Sequence, residues 1–297
     1  MKLSALAVPL LFAISLKLLS VFQLSQYSDV LDHRYKSYGD TSKETVLLVP
    51  GLDGAVSFFG DIIPELTMQY HVVVFYLPLR ARTMPEDLYT FEYIASELRK
   101  VLDELHLSQV NLVGESFGGV ISQYFALAYP ERLKKMVLLS SLAKMDLPPE
   151  VQWKLDYLLP VISTIGSYLP NFAQMFFAQV HVEDVVEPHE SNYVRQLFIK
   201  EASFAHFFSV IARIRLASKL DITSRIPSIQ NPTLVIYGSE DHFTKPDSLQ
   251  IHGLLPNSEL TSLPGGHLAH VTSPKAFAAL VTSFVDGKDR NKEEGKE

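Results

Sequence analysis

The sequence has no cysteine among its 297 residues. Disulfide bonds, thiolate nucleophiles and cysteine-ligated metals are therefore excluded. It also has no Asn-x-Ser/Thr sequence with a permitted middle residue, which disfavours a glycosylated product. Positive charge is scarce, since 26 Lys and Arg stand against 33 Asp and Glu. The resulting net charge of -7 gives no reason to expect nucleic acid as a partner.

The remaining composition is that of a globular protein. Hydrophobic residues make up 47% of the chain and charged residues 20%, so the apolar content is close to the usual range. A chain of this length can bury one large core. We therefore expect one α/β domain with an insertion.

The first 24 residues form an almost wholly apolar segment. Lys2 precedes it, and Lys17 is the only charge between Leu3 and Phe22. The run approaches membrane-spanning length, and no good cleavage site follows it. We expect residues 1–24 to be a membrane anchor or a cleaved signal peptide, with a buried helix as the third possibility. The first makes the protein membrane-associated, and the second makes it secreted.

Apolar runs of strand length alternate with stretches of helical periodicity over much of the chain. The predicted strands are residues 33–38, 45–49, 71–77, 109–113, 135–140, 232–238 and 259–263. The predicted helices are residues 86–105, 119–128 and 274–284. Strands that are apolar on both faces and separated by helices indicate a parallel sheet covered on both sides.

This alternation stops between residues 143 and 229, which are helical in pattern and rich in large apolar side chains. We expect a helical cap here, inserted between the core segments 25–142 and 230–287. Its apolar side chains either form the cap's own core or also line a pocket for an acyl or isoprenoid chain. The charged segment 288–297 lacks apolar residues and is predicted to be disordered.

A G-x-S-x-G sequence lies at residues 114–118, between a predicted strand and a predicted helix. A turn this tight holds its central residue, Ser116, in a strained conformation at the edge of the sheet. Gly114 and Gly118 suit the turn, because a Cβ there would collide with the neighbouring strand or helix. The motif also occurs by chance, and Ser116 would then be an idle serine in a glycine-rich turn.

Two later loops supply an acid and a base. Asp241 follows the strand at 232–238 and His267 follows the strand at 259–263, which gives the chain order Ser, Asp, His. A serine hydroxyl needs a base to remove its proton, and a carboxylate fixes the tautomer of an imidazole base. Because ligands of such sheets bind at the carboxyl ends of the strands, we expect Ser116, Asp241 and His267 to meet there.

Other residues could take these roles. Glu240 could replace Asp241 as the acid, and His270 could be the base or form half of a metal pair with His267. His242 could support the acid or be exposed. A further acidic and histidine-containing stretch resembles a metal cluster, although a solvated loop explains it as well: His181, Glu183, Asp184, Glu187 and His189. We expect no metal and no organic cofactor.

Four motifs in order make residues 44–287 resemble the α/β-hydrolase superfamily. They are P-G-x-D-G at 50–54, the G-x-S-x-G turn, P-T-L-V-I-Y-G-x-x-D at 232–241, and G-G-H at 265–267 followed by Pro274. The resemblance implies an eight-stranded, mostly parallel sheet with helices on both faces and a cap after the sixth strand. It also implies Ser116, Asp241 and His267 as a triad, with an oxyanion hole formed by the N–H groups of Leu52 and Phe117.

Some positions depart from this family's pattern. Pro50 stands where a histidine is usual, and the turn after the strand at 71–77 lacks D-x-R-G-x-G. Short segments are similar to the plastid phytyl ester synthase group: 50–54, 82–83, 86–88 and 114–116. We expect Glu115, beside the serine, to make a structural hydrogen bond.

The resemblance and the apolar insertion together predict a serine ester hydrolase of carboxylesterase or lipase type. Its expected substrates are lipid-like esters, cleaved through an acyl-enzyme. Besides the substrate, the expected partner is a membrane. An acyltransferase that passes the acyl group to a long-chain alcohol is the first alternative. A non-catalytic binding protein on the same fold is the other.

Overall fold

A computed structural model describes residues 33–80, 84–159, 161, 178–179, 182–183 and 185–287. Its strands are β1 (Tyr35–Tyr38), β2 (Thr45–Val49), β3 (His71–Phe75), β4 (Val110–Glu115), β5 (Leu133–Leu139), β6 (Thr233–Gly238) and β7 (Ser258–Leu263). They form one sheet in the spatial order β1-β3-β2-β4-β5-β6-β7. Among the pairs formed by these described strands, only β1–β3 is antiparallel. The predicted mostly parallel sheet is confirmed.

Helices connect these strands and cover both faces of the sheet. They are α1 (Ile63–Thr67), α2 (Phe91–Glu104), α3 (Phe117–Ala128), α4 (Pro149–Trp153), α5 (Asn192–Phe204), α6 (Phe207–Ala217), α7 (Lys245–Leu254), α8 (Ala269–Thr272) and α9 (Pro274–Asp286). Helix α2 begins five residues later than predicted, because the side chain of Thr90 accepts a hydrogen bond from the Tyr93 N–H and caps the helix.

The core has two layers, one on each face of the sheet. Leu47 and Val49 of β2 pack in the layer that contains α2 and α3. Val46 and Leu48, which alternate with them, pack in the layer that contains α1 and α9. Successive side chains of a strand point to opposite faces, so a strand buried on both sides is one uninterrupted apolar run.

The described residues hold seven strands, whereas the family resemblance implies eight. At the antiparallel edge the sequence offers a single strand-like run. There β1 pairs with β3 over four residues, from Tyr35 opposite Phe75 to Tyr38 opposite Val72. Residues 25–32 of the predicted core lie outside the described residues. The insertion therefore follows the fifth described strand. The prediction, which assumed eight strands, placed it after the sixth.

The insertion between β5 and β6 lies over the carboxyl edge of the sheet. Its described parts include α4, a π-helical turn at Lys154–Leu158, α5 and α6. Phe198 of α5 packs with Phe58 and Leu268, which come from loops at that edge. Much of the apolar sequence between residues 160 and 177 lies outside the described residues.

The predicted transmembrane helix and membrane-associated localisation need correction. Among the residues described, no helix has both the length and the apolar character needed to cross a membrane. The longest of them, α2, has 14 residues, fewer than the roughly 20 apolar residues that a span requires. Both expectations, and the alternative of secretion after cleavage, came from residues 1–24, which lie outside the described residues. The predicted disordered tail at 288–297 also lies outside them.

Candidate active site

Ser116 occupies a tight turn between β4 and α3. Its backbone has φ of 52° and ψ of -116°, a combination that L-residues rarely adopt. A Cβ on Gly114 would lie 2.5 Å from the carbonyl oxygen of Gly118 and from Ser122 Oγ. A Cβ on Gly118 would overlap the carbonyl oxygen of Val49 in β2. The two glycines therefore let the strand and the helix approach closely enough to raise Ser116 above the sheet.

Gly118→Ala is expected to lower the free energy of unfolding by about 3 kcal/mol, because the added methyl group overlaps main-chain oxygens of a buried strand. Gly253→Ala in α7 is the matched control. Nothing lies within 4 Å of a Cβ at that position, so alanine should stabilise the helix by about 0.5–1 kcal/mol. Urea unfolding measures both changes. A Gly118→Ala protein as stable as wild type would contradict the close packing.

The structure brings the three candidate side chains together from three loops. Ser116 directly follows β4, Asp241 follows β6, and His267 follows β7. The Nε2 atom of His267 lies 3.0 Å from the Oγ atom of Ser116. Its Nδ1 atom lies 3.2 Å from the Oδ2 atom of Asp241. The imidazole thus bridges the hydroxyl and the carboxylate, the geometry that a serine nucleophile and its base require.

Asp241 is held rigidly and stays ionised. Only 1% of its surface is exposed. Its Oδ1 atom accepts hydrogen bonds of 2.9 Å from the N–H groups of Phe243 and Thr244, and its Oδ2 atom accepts one of 2.5 Å from the Thr244 hydroxyl. Burial acts to raise the pKa of Asp241, but the hydrogen bonds and the charge of His267 outweigh it and lower the pKa well below its usual range.

His267 is buried among carboxylates. Burial lowers the pKa of an imidazole, but the hydrogen bond to Asp241 and the negative charges of Asp241, Glu115 and Glu190 outweigh burial. The pKa of His267 is therefore raised above its ordinary value. The ring of Phe243 lies edge-on to the imidazole at 5.5 Å between centroids and covers it.

Glu115 lies closer to the imidazole than the sequence suggested. It is 3% exposed, and its Oε1 atom lies 4.0 Å from the Nε2 atom of His267. Burial raises the pKa of Glu115 to about 7. The Glu115 carboxyl group has a backbone hydrogen bond from Gly51, in line with the structural hydrogen bond that we expected. Within the described part of the chain its Oε2 atom has no hydrogen-bond partner. The sequence offered one indication of this buried carboxyl group: an acidic residue ends a strand that is otherwise predicted to be buried on both faces.

Thr244 and Glu190 are two site residues that sequence reasoning missed. Thr244 is buried, and its hydroxyl binds the acid from three residues further along the chain. Glu190 comes from the insertion and accepts hydrogen bonds from the Gly266 N–H at 3.1 Å and the Thr272 hydroxyl at 2.8 Å. It thereby fixes the turn that carries His267. The position of Thr244, three residues after Asp241, could have suggested that its hydroxyl binds the acid. No feature of the sequence near Glu190 suggests a role in the site.

The alternative acid and the alternative histidines lie apart from this hydrogen-bonded chain. Glu240 has 45% of its side chain exposed and pairs with His189. His242 is exposed. His270 is fully buried against the rings of Phe59 and Phe277, and burial lowers its pKa to about 3, so it is neutral.

No three metal-binding side chains cluster anywhere in the described ranges. Of the acidic and histidine-containing stretch singled out in the sequence, His181 and Asp184 lie outside those ranges. Glu183 forms an ion pair with Arg195. Glu183 and His189 are thus paired with other side chains, and the described residues of the stretch do not form a group that could hold a metal ion.

The two candidate oxyanion donors lie at the same cleft as Ser116. Leu52 belongs to the loop after β2, where a tight turn is closed by a 3.0 Å hydrogen bond from the Gly54 N–H to the Gly51 carbonyl. Phe117 is the first residue of α3. Neither the Leu52 N–H nor the Phe117 N–H donates a hydrogen bond to another described residue. Both are available to a bound ligand.

The cleft is an apolar cavity of about 260 Å³. Ser116 and His267 lie in its wall, and most of the remaining wall is aliphatic or aromatic, from the core and from the insertion: Phe58, Val120, Leu142, Met145, Val185, Phe198, Val210, Ile214, Leu220 and Phe243. Asp53 and Glu115 are the two carboxyl groups that line it, and no lysine or arginine among the described residues does. The cavity can therefore hold an apolar group directly against the serine hydroxyl.

Comparison with known proteins identifies the family of the fold. The sequence profile of the alpha/beta hydrolase fold matches residues 44–274. The protein RutD of Caulobacter vibrioides (strain NA1000 / CB15N), whose name gives carbamate hydrolysis as its expected activity, is 27% identical over 249 residues. That alignment covers 82% of this chain and 91% of RutD.

Two solved structures share the fold. A hydrolase from Pseudomonas aeruginosa PA01 has a TM-score of 0.73 and 23% identity, over 84% of this chain and 93% of its own. A thermophilic esterase from Thermogutta terrifontis, with malate bound, has a TM-score of 0.73 and 22% identity, over 85% of this chain and 92% of its own. The predictions of a lipase and of a role in lipid metabolism need correction, because RutD is named for carbamate hydrolysis and not as a lipase.

Proposed function

This chain belongs to the alpha/beta hydrolase family and is a hydrolase, and from that premise we propose that it cleaves carboxylic esters with an apolar, uncharged acyl or alcohol part. The observation that carries the proposal is the hydrogen-bonded chain from Ser116 through His267 to Asp241, at 3.0 Å and 3.2 Å. These residues are the proposed catalytic triad. The apolar wall of the adjoining cavity supports the substrate class.

The proposed reaction has two halves. In the first, the Oγ atom of Ser116 attacks the ester carbonyl carbon as its proton passes to Nε2 of His267. The tetrahedral intermediate then collapses, the C–O bond breaks, and Nε2 gives the proton to the leaving alcohol. In the second half, Nε2 takes a proton from water as the water oxygen attacks the acyl carbon. The bond between that carbon and Oγ then breaks, Nε2 returns the proton to Oγ of Ser116, and the acid leaves. Asp241 stays ionised and balances the imidazolium in both halves.

The N–H groups of Leu52 and Phe117 are the proposed oxyanion hole. Negative charge builds up on the carbonyl oxygen only as the tetrahedral intermediate forms, so donors placed at that position stabilise the transition state more than the substrate. Removing one such donor lowers kcat by roughly 10²- to 10³-fold in other enzymes. The absence of a described protein partner for either N–H supports this role.

The charge in the cavity favours a neutral substrate. Asp53 and Glu115 line it without a lysine or arginine among the described residues. Burial raises the pKa of both groups, to about 7 for Glu115, so part of their negative charge remains at neutral pH. A free carbamate is an anion at neutral pH, and the ionised fraction of these carboxyl groups would repel it. The likeness to RutD favours carbamate hydrolysis as a second candidate, which the cavity could accept only as a neutral carbamate ester.

The experiment that tests the proposal is covalent labelling of the wild-type protein with a fluorophosphonate. Because such probes react only with an activated serine, one adduct per chain is expected, and peptide mass spectrometry should locate it on Ser116. Protein unfolded in urea is the control and should remain unlabelled. Folded protein that does not react, or that is labelled on another residue, would contradict the proposal.

The substrate class is tested with three p-nitrophenyl compounds of similar length. The butyrate ester is neutral, the succinate monoester carries a carboxylate, and the N-propylcarbamate is a neutral carbamate. The butyrate is expected to have the highest kcat/KM. Faster turnover of the carbamate would favour the second candidate, and faster turnover of the succinate would contradict the argument from charge.

The carboxylates around His267 should determine the pH at which kcat/KM begins to rise. Only the neutral imidazole accepts the serine proton, and its pKa is raised above 6.5, so activity should rise with pH through a value above 6.5. Glu115→Gln removes one negative charge that raises this pKa, and the acidic limb should move to lower pH. Because Glu115 itself has a pKa of about 7, the wild-type limb reports the coupled pair.

Glu97→Gln is the control for this measurement. Glu97 is also buried, but it lies on α2 and pairs with Arg34 and Lys100. Its substitution should leave the acidic limb where it is in wild type. An acidic limb that does not move in Glu115→Gln, or that moves to higher pH, would contradict the electrostatic role of Glu115.

A further inference from the structure

A buried arginine in the insertion touches the loop that carries Leu52. Arg213 of α6 is 2% exposed. Its Nη1 atom donates a 2.9 Å hydrogen bond to the Leu52 carbonyl oxygen. Its Nη2 atom lies 3.4 Å from the carbonyl oxygens of Leu77 and Pro78, and its Nε atom donates to the Tyr89 hydroxyl at 3.2 Å. Among the described residues none of these acceptors is a carboxylate.

The buried guanidinium of Arg213 needs hydrogen-bond acceptors, and it finds them in two loops. A guanidinium is costly to bury unless its N–H groups are paired, and the carbonyl and hydroxyl acceptors supply that pairing. The acceptors belong to the loop after β2 and to the segment after β3. One side chain of the insertion therefore joins two loops at the carboxyl edge of the sheet.

The loop is closely fitted against the guanidinium. Gly54 has a φ of 78°, and a Cβ added there would lie 3.2 Å from Nη1 of Arg213. The carbonyl that Arg213 holds and the N–H proposed as an oxyanion donor belong to the same residue, Leu52. The Leu52 N–H lies in the peptide plane of the Gly51 carbonyl, which accepts the 3.0 Å hydrogen bond from the Gly54 N–H. Arg213 holds the next peptide plane, that of the Leu52 carbonyl. The two hydrogen bonds together hold the peptide planes on both sides of the Leu52 Cα, and with them the direction of the N–H.

We propose that Arg213 is a positioning residue that holds the Leu52 N–H at the place where the oxyanion forms. This inference rests on the proposed function, because it requires Leu52 to be an oxyanion donor. An oxyanion donor must lie about 2.7–3.1 Å from the charged oxygen of the intermediate. Loss of Arg213 lets the loop shift, which weakens binding of the transition state and leaves binding of the uncharged substrate unchanged.

A purely structural role makes a different prediction. If Arg213 only fastens the insertion to the core, its loss lowers the melting temperature, and kcat of the folded protein stays the same. The two roles therefore separate in a measurement of oxyanion binding. Trifluoromethyl ketones provide it, because the serine adds to their carbonyl and creates a tetrahedral oxyanion. The corresponding alcohol has no carbonyl and measures ordinary binding in the cavity.

The test compares Arg213→Met and Arg213→Lys with Arg215→Met, which makes the same change on the same helix. Arg213→Met should lower kcat for p-nitrophenyl butyrate by roughly 10- to 100-fold with KM unchanged, the size expected for a displacement near 1 Å. Its Ki for the trifluoromethyl ketone should rise by the factor by which kcat/KM falls, and its Ki for the alcohol should not change. Arg213→Lys keeps the charge but loses the planar fork that reaches four acceptors, so it should fall between Arg213→Met and wild type.

Equal kcat and ketone Ki in Arg213→Met and wild type, at a lower melting temperature, would overturn the inference. If Arg213→Met does not fold, Arg213→Lys decides by the same comparison, with an unchanged ketone Ki counting against the inference. Arg215→Met should keep both kinetic values, and a matching loss there would also count against it. Wild-type protein that fails to bind the ketone or to label Ser116 would instead refute the proposed function.

Discussion

Ser116→Ala is expected to lower kcat for ester hydrolysis by on the order of 10⁶-fold, the loss seen when a serine nucleophile is removed elsewhere. No other hydroxyl is hydrogen-bonded to the Nε2 atom of His267 among the described residues. The imidazole would retain its partner Asp241 but would have no alcohol to deprotonate. Residual turnover of roughly 10³-fold over water can persist through the oxyanion hole and substrate binding. Initial rates and fluorophosphonate labelling measure the loss.

Ser122→Ala is the matched control for this substitution. Ser122 is fully buried in α3, the helix that follows the nucleophile, and its hydroxyl donates to the Gly118 carbonyl at 2.8 Å. It makes no contact with the imidazole, so its loss should leave most of the activity. Circular dichroism should show both variants folded. Near-normal hydrolysis by folded Ser116→Ala protein would rule out Ser116 as the nucleophile.

Asp241→Asn should lower kcat by about 10⁴-fold while the protein remains folded. The amide oxygen can still accept from the N–H groups of Phe243 and Thr244, so the loop keeps its shape. The amide nitrogen, however, would face Nδ1 of His267 and donate to it. That turns the imidazole to the tautomer with its proton on Nε2, which cannot accept the proton of Ser116. Steady-state kinetics at neutral pH measures the effect.

Glu240→Gln makes the same chemical change one residue earlier. Its carboxyl group is half exposed and pairs with His189 at the surface, where a single ion pair contributes little. Activity close to wild type is therefore expected. If Glu240→Gln lost activity and Asp241→Asn kept it, the acid would have to be reassigned to Glu240.

The parts of the molecule that could be predicted are those that a short stretch of sequence specifies by itself. Strands β2 and β3 are uninterrupted apolar runs because they are buried on both faces. The turn around Ser116 was recognisable because only glycine fits at 114 and 118. Asp241 and His267 could be placed because each follows a strand whose carboxyl end must lie at the same edge of the sheet.

The contributions of the insertion were not predictable in this way. Arg213 and Arg215 lie two residues apart in an amphipathic helix, and nothing in the sequence tells which of them is buried. Glu190 lies beyond an acidic stretch that reads as solvated. Both side chains acquire their roles from how the insertion rests on the sheet, which depends on packing between segments distant in sequence. Strand β7 was predicted to within one residue, but its place at the edge of the sheet, with several side chains partly exposed, was not.

The order of the site residues along the polypeptide has a consequence for biosynthesis. The imidazole follows β7, which pairs with β6 at the edge of the sheet and is the last of the described strands along the chain. Chains leave the ribosome at about 5–20 residues per second, and their N-terminal parts fold first. The serine turn can therefore form while residue 267 is still untranslated. A nascent chain would carry a shaped but inert nucleophile, and chemistry would begin only after the final strand has emerged from the exit tunnel.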